Sequence, residues 1–421
     1  MTALSSSSPK PPPTRVLSNS NYLRVFLAGV ISTGGYAFST LALVWVVYTR
    51  TGSALDLAFV GVASLCGSIL VTLPAGVWVD RYSRRSLMIL SDVLRAACSA
   101  ALAVILLMFG FSLVSVLVVA FVWAAAGSLF QPAEEALIPS LVPADQIADA
   151  NGLIFSSRSI TSLAANAAAG TLILIAGAIP SFWVNAGTYV ASAILVSAVL
   201  VARKERSTGP QAPRKMTSEM KAGMRWLYGE KGLFALSLSA TPLNFFQNLF
   251  GPFVVIFTVV LLHGSALTLG LLLAAMAFGN AAGALLVGRT SAVRHAGKAW
   301  LFGYGVGAGS AILALAVYPE IYLAFVLFLL YGMATSFGGT SWLSAAQLLV
   351  PSEMLGRYFS VDGLISFGIM PIAEVAGGVL ITFYGVREVF LVAGLGMIVS
   401  GLAFSQFRPL WHWGYPATSK S

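Results

Sequence analysis

Four ionisable residues lie deep inside apolar stretches of the sequence, where a charge is costly. Asp92 and Arg95 are three residues apart, a spacing that places both on one face of a helix. Arg158 and Glu374 each occur alone, the latter just after Pro371. Ionisable groups in apolar surroundings usually face a cavity or a charged partner, so these residues could bind a proton or a charged solute.

Each of these charges also has a plain structural interpretation. Asp92 and Arg95 could neutralise each other in an ion pair, or they could take part in coupling. Glu374 could bind a proton or a cationic solute, or only form a hydrogen bond to a neighbouring helix. Arg158 could bind an anionic group of a solute, or pair with an acidic residue near the end of its helix. The sequence leaves these alternatives open.

Three amides alternate with aromatic residues between Pro242 and Pro252, namely Asn244, Gln247 and Asn248. Proline interrupts the helical hydrogen-bond ladder, and amide side chains avoid lipid. The pattern predicts a kinked helix whose amides line a cavity, although packing between helices would also satisfy them.

The composition indicates which elements hold these residues. Hydrophobic residues make up 58% of the chain and charged residues 9%, with a mean hydropathy of +0.87. Long continuous apolar runs, unlike the alternating strands of a membrane barrel, are typical of transmembrane helices of about 20 residues. The sequence therefore predicts an all-α integral membrane protein with twelve spans, over residues 22–48, 56–79, 86–109, 112–134, 150–176, 180–202, 232–262, 266–288, 299–318, 321–348, 358–384 and 387–407.

The basic residues predict how these spans are oriented. Twenty of the 24 Lys and Arg fall on the side of the membrane that carries the N-terminus, and only Arg50 and Arg387 fall on the other side. Cytoplasmic loops carry such an excess, so we expect both termini in the cytoplasm and the chain in the plasma membrane. The same residues are scattered among short loops, which argues against a nucleic-acid-binding domain.

Weak internal repeats indicate two halves of six spans each. The run from Gly52 to Leu55 reads the same as the run from Gly264 to Leu267, and the two precede spans 2 and 8. An even number of spans per repeat keeps both halves in one orientation, as in transporters with a site between parallel halves. The predicted organisation is a disordered cytoplasmic tail over 1–20, half-bundles over 21–202 and 232–408, a cytoplasmic linker over 203–231 and a cytoplasmic tail over 409–421.

Residue sets typical of enzymes and metal sites are missing from the sequence. The three histidines are far apart, and Cys66 and Cys98 lie in apolar runs without metal-ligand spacing. The chain has no HExxH, GxSxG or Walker pattern. We therefore expect no enzyme activity, metal or cofactor, and any movement of solute would draw on an ion gradient or on the gradient of the solute itself.

The loop between spans 2 and 3 resembles the signature loop of the major facilitator superfamily. It carries the family's glycine, aspartate and basic residues, with Ser83 where most members have glycine: Gly76, Asp80, Arg81, Arg84 and Arg85. The runs from Ser91 to Ala96, Ala136 to Pro139 and Asn151 to Leu153 are similar to macrolide-efflux and siderophore-export proteins, the transmembrane secretion effectors. Two patterns of proton-coupled drug exporters are missing, an arginine in span 4 and a Gly-Pro-rich run in span 5, which weakens the expectation of proton antiport.

The resemblance implies a gate on the cytoplasmic side and a site between the halves. In the family the loop aspartate, here Asp80, contacts the start of span 11 and holds the halves together while the protein faces outward. The other gate candidates are Gly76, Arg81, Arg84, Arg85, Asp92, Arg95, Glu134, Glu135 and Asp362. Spans 1, 4, 7 and 10 line the solute path in the family, which adds Tyr36, Trp123 and Phe337 to Arg158, Glu374 and the three amides as candidates for binding or coupling. Packing remains the alternative for each aromatic residue.

Together these features favour a monomeric secondary transporter that exports hydrophobic or amphipathic small molecules by alternating access, with protons as a candidate coupling ion. Its partners would be the solute and the lipid bilayer. Two rivals stay open: an importer or facilitator of a polar nutrient or metal chelate, and a lipid-handling or sensor-like membrane protein without net transport.

Overall fold

Twelve membrane-crossing helices make up most of the chain. The computed structural model describes residues 13–143, 146–200 and 216–407, and twelve helices in this part are long and apolar enough to cross a bilayer. They confirm the predicted all-α membrane fold. Numbered 1 to 12, the spans are Ser20–Thr51, Ala54–Arg81, Arg84–Met108, Leu113–Ser140, Ile147–Ala176, Ile179–Ser197, Lys231–Val260, Ala266–Arg289, Ala292–Val317, Ile321–Leu349, Met354–Tyr384 and Val386–Ser405.

The repeated Gly-Ser run lies between two consecutive spans in both halves, and its serine begins the second of them. Gly52 adopts a positive φ of 63° that ends span 1, and the Ser53 side chain caps span 2. In the second half Ser265 caps span 8, and the residue with positive φ is His263 at 50°. A serine at this position stabilises a helix start by about 1 kcal/mol, which gives the repeated sequence a physical reason.

Equivalent pairs of spans pack together in the two halves. Span 6 packs on spans 1 and 3, and span 2 packs on span 4; correspondingly, span 12 packs on spans 7 and 9, and span 8 packs on span 10. Serine hydroxyls add hydrogen bonds to the first half, where Ser39 lies 3.3 Å from Ser99, whose hydroxyl donates to the Phe182 carbonyl. This correspondence confirms two parallel six-helix bundles, the major facilitator fold.

The two halves meet toward one end of the bundle. We call the end that carries the N-terminus the N-terminal face and the opposite end the distal face. The halves are in contact where span 5 crosses span 8 and where span 2 crosses span 11. Near the distal face Gly170 and Gly270 bring two backbones together, and Gly378 lies against Ala54. The part of span 11 nearer the N-terminal face, Ser352–Phe367, packs mainly on span 7 and on the helix before it, Met216–Gly229. The halves are therefore closed against each other on the distal side.

Three spans are interrupted near a proline. Span 4 breaks after Gly127, span 7 after Asn248 and span 11 after Phe367. In span 7 the break falls at Pro252, whereas Pro242 lies within an unbroken helix. Proline lacks the amide hydrogen that would continue the ladder, and irregular backbone at this depth must find partners within the protein.

Part of the N-terminal segment that was predicted as a tail has regular structure. Pro13–Ser18 form a short 3-10 helix in which Val16 is buried. The Asn19 side chain caps span 1 and also donates to the Leu141 carbonyl at 2.7 Å. Burial of Val16 and this long-range hydrogen bond hold the segment against the bundle, which the Ser- and Pro-rich composition does not indicate. Residues 1–12 and the predicted tail over 409–421 lie outside the described part.

The predicted linker over 203–231 contains a helix, Met216–Gly229, and its residues up to 215 lie outside the described part. Leu227 of this helix is buried in a cluster with Tyr358 and Val361 of span 11. A methyl group on Gly223 would lie 3.1 Å from the Arg357 carbonyl, so the two helices are in close contact. The linker helix therefore packs on the start of span 11, while the proposed limits of the halves remain predictions.

Candidate functional site

Asp92 and Arg95 form an ion pair inside the first half. Arg95 Nη2 lies 2.6 Å from Asp92 Oδ1, and Ser192 of span 6 donates to Asp92 Oδ2 at 2.6 Å. The guanidinium lies over the Tyr189 ring, 4.3 Å from its centroid, a favourable cation–π contact. Both charged residues are buried, so the pair fastens span 3 to span 6. A role in gating stays a prediction.

Trp123 and Tyr36 continue this cluster from Tyr189 to the exposed surface. Trp123 Nε1 donates to the Tyr189 hydroxyl at 3.2 Å, and the Trp123 and Tyr36 ring centroids are 5.6 Å apart. Trp123 is buried, whereas Tyr36 is 54% exposed. The structure therefore brings together two residues that were predicted from different spans as lining of the solute path.

Glu134 and Arg158 form a second ion pair, which joins span 4 to span 5. The Glu134 side chain is 1% exposed and the Arg158 side chain 28% exposed. A methyl group on Gly29 of span 1 would lie 2.8 Å from Glu134 Oε1, so three spans converge here. Of the two interpretations of Arg158, the structure shows pairing with an acidic residue. Glu135 instead is exposed and accepts a hydrogen bond from Gln131 at 2.8 Å.

Two arginines, one on span 3 and one on span 1, cap the carboxyl end of span 6. Arg85 Nε donates to the Val196 carbonyl at 3.2 Å, and Arg24 donates to the Ala198 carbonyl at 2.6 Å. Cations at the carboxyl end of a helix complement its dipole. Arg81 and Arg84 are exposed. Gly76 and the Asp80 side chain lie outside the described part, so their gate contact stays a prediction.

The amides of span 7 are bonded within the second half. Asn244 is 2% exposed, donates to the Ser366 carbonyl at 2.8 Å and accepts from the Tyr304 hydroxyl at 2.9 Å. Gln247 also accepts from Tyr304, and it donates to the Tyr331 hydroxyl at 3.0 Å. The structure thus shows the packing alternative for Asn244, whose side chain completes the interrupted span 11, while Gln247 remains half-buried.

Three further candidates lie within the second half. Asn248 is half-buried and donates to the Asn244 carbonyl of its own helix at 2.8 Å. Phe337 lies beside Gly303 of span 9 and packs against a small apolar cluster of Val287, Ala292 and Ala299. Asp362 is 2% exposed and accepts a hydrogen bond from Ser366, one turn further along the same helix, at 3.4 Å. The structure does not bring these three residues to the Tyr36 and Trp123 pair.

Glu374 lies in the contact between the two halves. It is 5% exposed, and a methyl group on Gly61 of span 2 would overlap its carboxylate, so its side chain faces span 2. Among the described residues its Oε2 atom has no hydrogen-bond partner. Asp92, Glu134 and Asp362 each have at least one partner, so Glu374 differs from the other three buried acidic residues of the described spans.

Sequence reasoning missed the partners that complete these clusters. Tyr189, Tyr304 and Tyr331 anchor the two polar networks, and Gly61 makes room for Glu374. Each partner lies on another span, so only tertiary packing reveals it. The described part of the chain holds no group of three or more His, Cys, Asp or Glu that could bind a metal ion.

Comparison with known sequences assigns relatives along nearly the whole chain. The profile of the transmembrane secretion effector family matches residues 13–413. The multidrug efflux pump Tap of Mycolicibacterium fortuitum is 26% identical over 395 residues, covering 90% of this chain and 94% of that protein. Macrolide efflux protein A of Streptococcus pyogenes is 26% identical over 377 residues, covering 85% and 88%.

Solved structures of transporters share the fold. A bacterial homologue of the human lysosomal transporter Spinster, in an inward-facing and occupied conformation, superposes with a TM-score of 0.71 at 16% identity, covering 97% of this chain and all of that one. The D-xylose–proton symporter superposes with a TM-score of 0.68 at 15% identity, covering 96% and 99%. At these identities the likeness concerns the fold alone.

Proposed function

The chain belongs to the transmembrane secretion effector family, and on this basis we propose that it exports hydrophobic or amphipathic small molecules from the cell. The observation that carries the proposal is the match to two efflux proteins over 85% to 90% of the chain. The family relation makes the chain a multi-pass membrane transporter. The export direction and the class of solute are the proposal.

The charges within the spans support a weakly polar solute. The two arginines at membrane depth are each paired with a carboxylate, Arg95 with Asp92 and Arg158 with Glu134. Breaking such a pair to bind a solute charge would leave a buried ion alone, at a cost of several kcal/mol. An exposed phenol beside an indole offers stacking and a single hydrogen bond instead, which suits bulky solutes of low charge.

Alternating access of the two halves would move the solute. We place the N-terminal face in the cytoplasm, because most basic residues lie there. With the halves closed on the distal side, the described conformation would be open to the cytoplasm and ready to load. The predicted contact between Asp80 and the start of span 11 would form in the opposite conformation, and one chain would be the working unit.

An accumulation assay tests export. The protein is expressed in a drug-sensitive bacterial host, and the accumulation of a panel of fluorescent lipophilic compounds is measured with and without expression. We expect lower accumulation of some compounds. Unchanged accumulation of every compound in cells with verified membrane expression would remove the support for export, and raised accumulation would favour the importer.

Matched tyrosine and tryptophan variants test the site. We expect Tyr36→Ala and Trp123→Ala to raise the accumulation of exported compounds severalfold, because the first removes the exposed ring and the second removes the buried indole against which that ring packs. Tyr322→Ala is the control, since Tyr322 is 78% exposed at the distal start of span 10 and away from both residues. If all three variants export the compounds equally well, Tyr36 and Trp123 do not contribute to solute binding.

A further inference from the structure

We propose that Glu374 is a proton-binding residue that controls closure of the distal side, so that the contact between spans 2 and 11 forms over a neutral carboxylic acid and opens when Glu374 is ionised. This inference rests on the proposed function for its place in a transport cycle. Its physical basis is the contact of the two halves around Gly61 and Glu374.

The position of Glu374 ties its surroundings to the conformation of the protein. It lies ten residues before the distal end of span 11, about 15 Å along the helix axis. Its neighbour Gly61 belongs to the other half, so the side chain is covered by span 2 only while the halves are together. When the distal side opens, the same carboxyl group becomes exposed to water.

Apolar groups surround this part of the contact. One helical turn beyond Glu374, Gly378 lies against the methyl group of Ala58, and Gly377 lies against Phe253 and Leu249 of span 7. Glu374 Oε2 has no hydrogen-bond partner in the described part of the chain, and neither of the ion pairs found there includes Glu374.

The charged and titratable groups on the packed elements belong to other parts of those helices. They are Asp56, Cys66 and Arg81 of span 2, Lys231 of span 7, Arg357, Tyr358, Asp362 and Tyr384 of span 11 itself, and Arg387 and Glu388 of span 12, while the Asp80 side chain lies outside the described part. Cys66 is five residues from Gly61 and exposed. Asp362 lies in the helix before the break in span 11 and accepts from Ser366, and the others lie near the ends of their helices. None of the described ones forms an ion pair with Glu374.

An ionised carboxylate without a nearby cation or hydrogen-bond donor is strongly disfavoured in an apolar contact between helices, whereas the neutral acid is tolerated. Closure of the distal side therefore takes up a proton on Glu374, and a low pH favours the closed state by linkage. A proton bound while the distal side is open would be enclosed when the halves close. In an exporter this sequence moves a proton inward as the empty protein returns, which is antiport.

Glycine at position 61 is part of the contact between spans 2 and 11. Any side chain there would overlap the Glu374 carboxyl group in its observed position, so Glu374 would have to turn away from span 2 before the halves could close. The observed contact thus combines an acid on span 11 with the absence of a side chain on span 2.

Spin labels on the distal face test the inference without a substrate. Cysteines replace Arg50 and Phe383, which are exposed at the distal ends of spans 1 and 11, in a background of Cys66→Ala and Cys98→Ala. Distances between the labels are measured by pulsed electron paramagnetic resonance in lipid nanodiscs over a range of pH. We expect short distances at low pH and a growing population of longer distances as the pH rises.

Three variants test whether the pH dependence of the label distances comes from Glu374. Glu374→Gln should keep the short distance at every pH, because the amide cannot ionise. Gly61→Ala displaces the Glu374 carboxyl group from this place, so it should change the pH at which the longer distances appear. Glu388→Gln, which removes a carboxylate at the distal start of span 12, should titrate like the parent.

A distance that does not change with pH in the parent, or a Glu374→Gln variant that titrates like the parent, would overturn the inference. The result is independent of the accumulation assay. Export that persists without pH-dependent closure would place proton coupling elsewhere, and pH-dependent closure without export of any compound would instead refute the proposed function.

Discussion

Among single residues, Glu134 and Arg158 offer the sharpest test of a buried charge. Glu134→Gln leaves the Arg158 guanidinium without its partner, and we expect a loss of about 2 kcal/mol of folding stability, reduced from the value for fully buried pairs because Arg158 is 28% exposed. The midpoint of thermal unfolding in detergent, followed by tryptophan fluorescence, measures the effect. The double variant Glu134→Gln with Arg158→Gln should recover part of the loss.

Glu135→Gln is the matched control for this experiment, since Glu135 is the adjacent residue but is exposed and bonded only to Gln131 of its own helix. Its effect should stay within about 0.5 kcal/mol. If the two single variants unfold alike, the Glu134–Arg158 pair does not contribute to stability in the way its burial indicates.

The residue scale also shows what a sequence can and cannot indicate about the site. The Asp92–Arg95 pair follows from local spacing, because residues three apart on a helix are neighbours. The pairing of Glu134 with Arg158 and the contact of Glu374 with Gly61 join different spans, and no local spacing encodes them. Phe337, assigned to the solute path by resemblance, is partly buried against a small apolar cluster, and its role in the path stays a prediction.

At the scale of elements, the break in span 11 is stabilised by side chains of span 7. Thr241 donates to the Ile365 carbonyl and Asn244 to the Ser366 carbonyl, each at 2.8 Å, next to the point where the helix ends at Phe367. Carbonyls at a helix end lack partners within the helix, and lipid offers none. The polar residues of span 7 therefore donate to carbonyls that the end of this helix leaves without helical partners.

Asn244→Leu should weaken this junction. It removes the donor to the Ser366 carbonyl and one of the two acceptors beside the Tyr304 hydroxyl, and we expect a loss of about 2 kcal/mol together with faster amide hydrogen exchange over residues 364–370. Hydrogen–deuterium exchange read by mass spectrometry measures this. Asn248→Leu is the control, because Asn248 donates only to a backbone carbonyl of its own helix in the described contacts. Equal exchange in both variants would contradict the assigned role of Asn244.

Hydropathy predicted the existence of every span and placed most of their limits well, since burial in lipid demands long apolar runs. It missed the breaks, because an interrupted helix is as apolar as a continuous one. Span 9 was predicted to begin at residue 299 and begins at Ala292, since Arg294, His295 and Lys298 lower the local hydropathy without ending the span.

For the whole molecule, the orientation in the membrane is open to direct measurement. We expect Lys221→Cys to be unreactive and Tyr318→Cys reactive toward a membrane-impermeant maleimide in intact cells, because both termini are proposed to be cytoplasmic. Both residues are exposed, and they lie on the linker helix and on the loop before span 10. Labelling of both from the same side would reject the proposed topology.

Closure of the whole molecule depends on glycines where span 5 crosses span 8. A methyl group on Gly270 would lie 2.5 Å from the Asn166 carbonyl, and one on Gly170 would lie 2.6 Å from the Ala266 carbonyl. Backbone atoms cannot move aside as flexible side chains do, so a larger residue must separate the halves. We expect Gly270→Val to fold and insert, because each half keeps its own packing, but to hold the distal side open.

The spin-label pair on the distal face should then report long distances at every pH, and accumulation of exported compounds should rise to the level of cells without the protein. Gly187→Val is the matched control, since a Cβ atom added at Gly187 on span 6 would meet no atom within 4 Å. It should retain both closure and export. Export by Gly270→Val at the parental level would mean that close approach of spans 5 and 8 is not required for the transport cycle, and the rocking of two rigid halves would have to be abandoned.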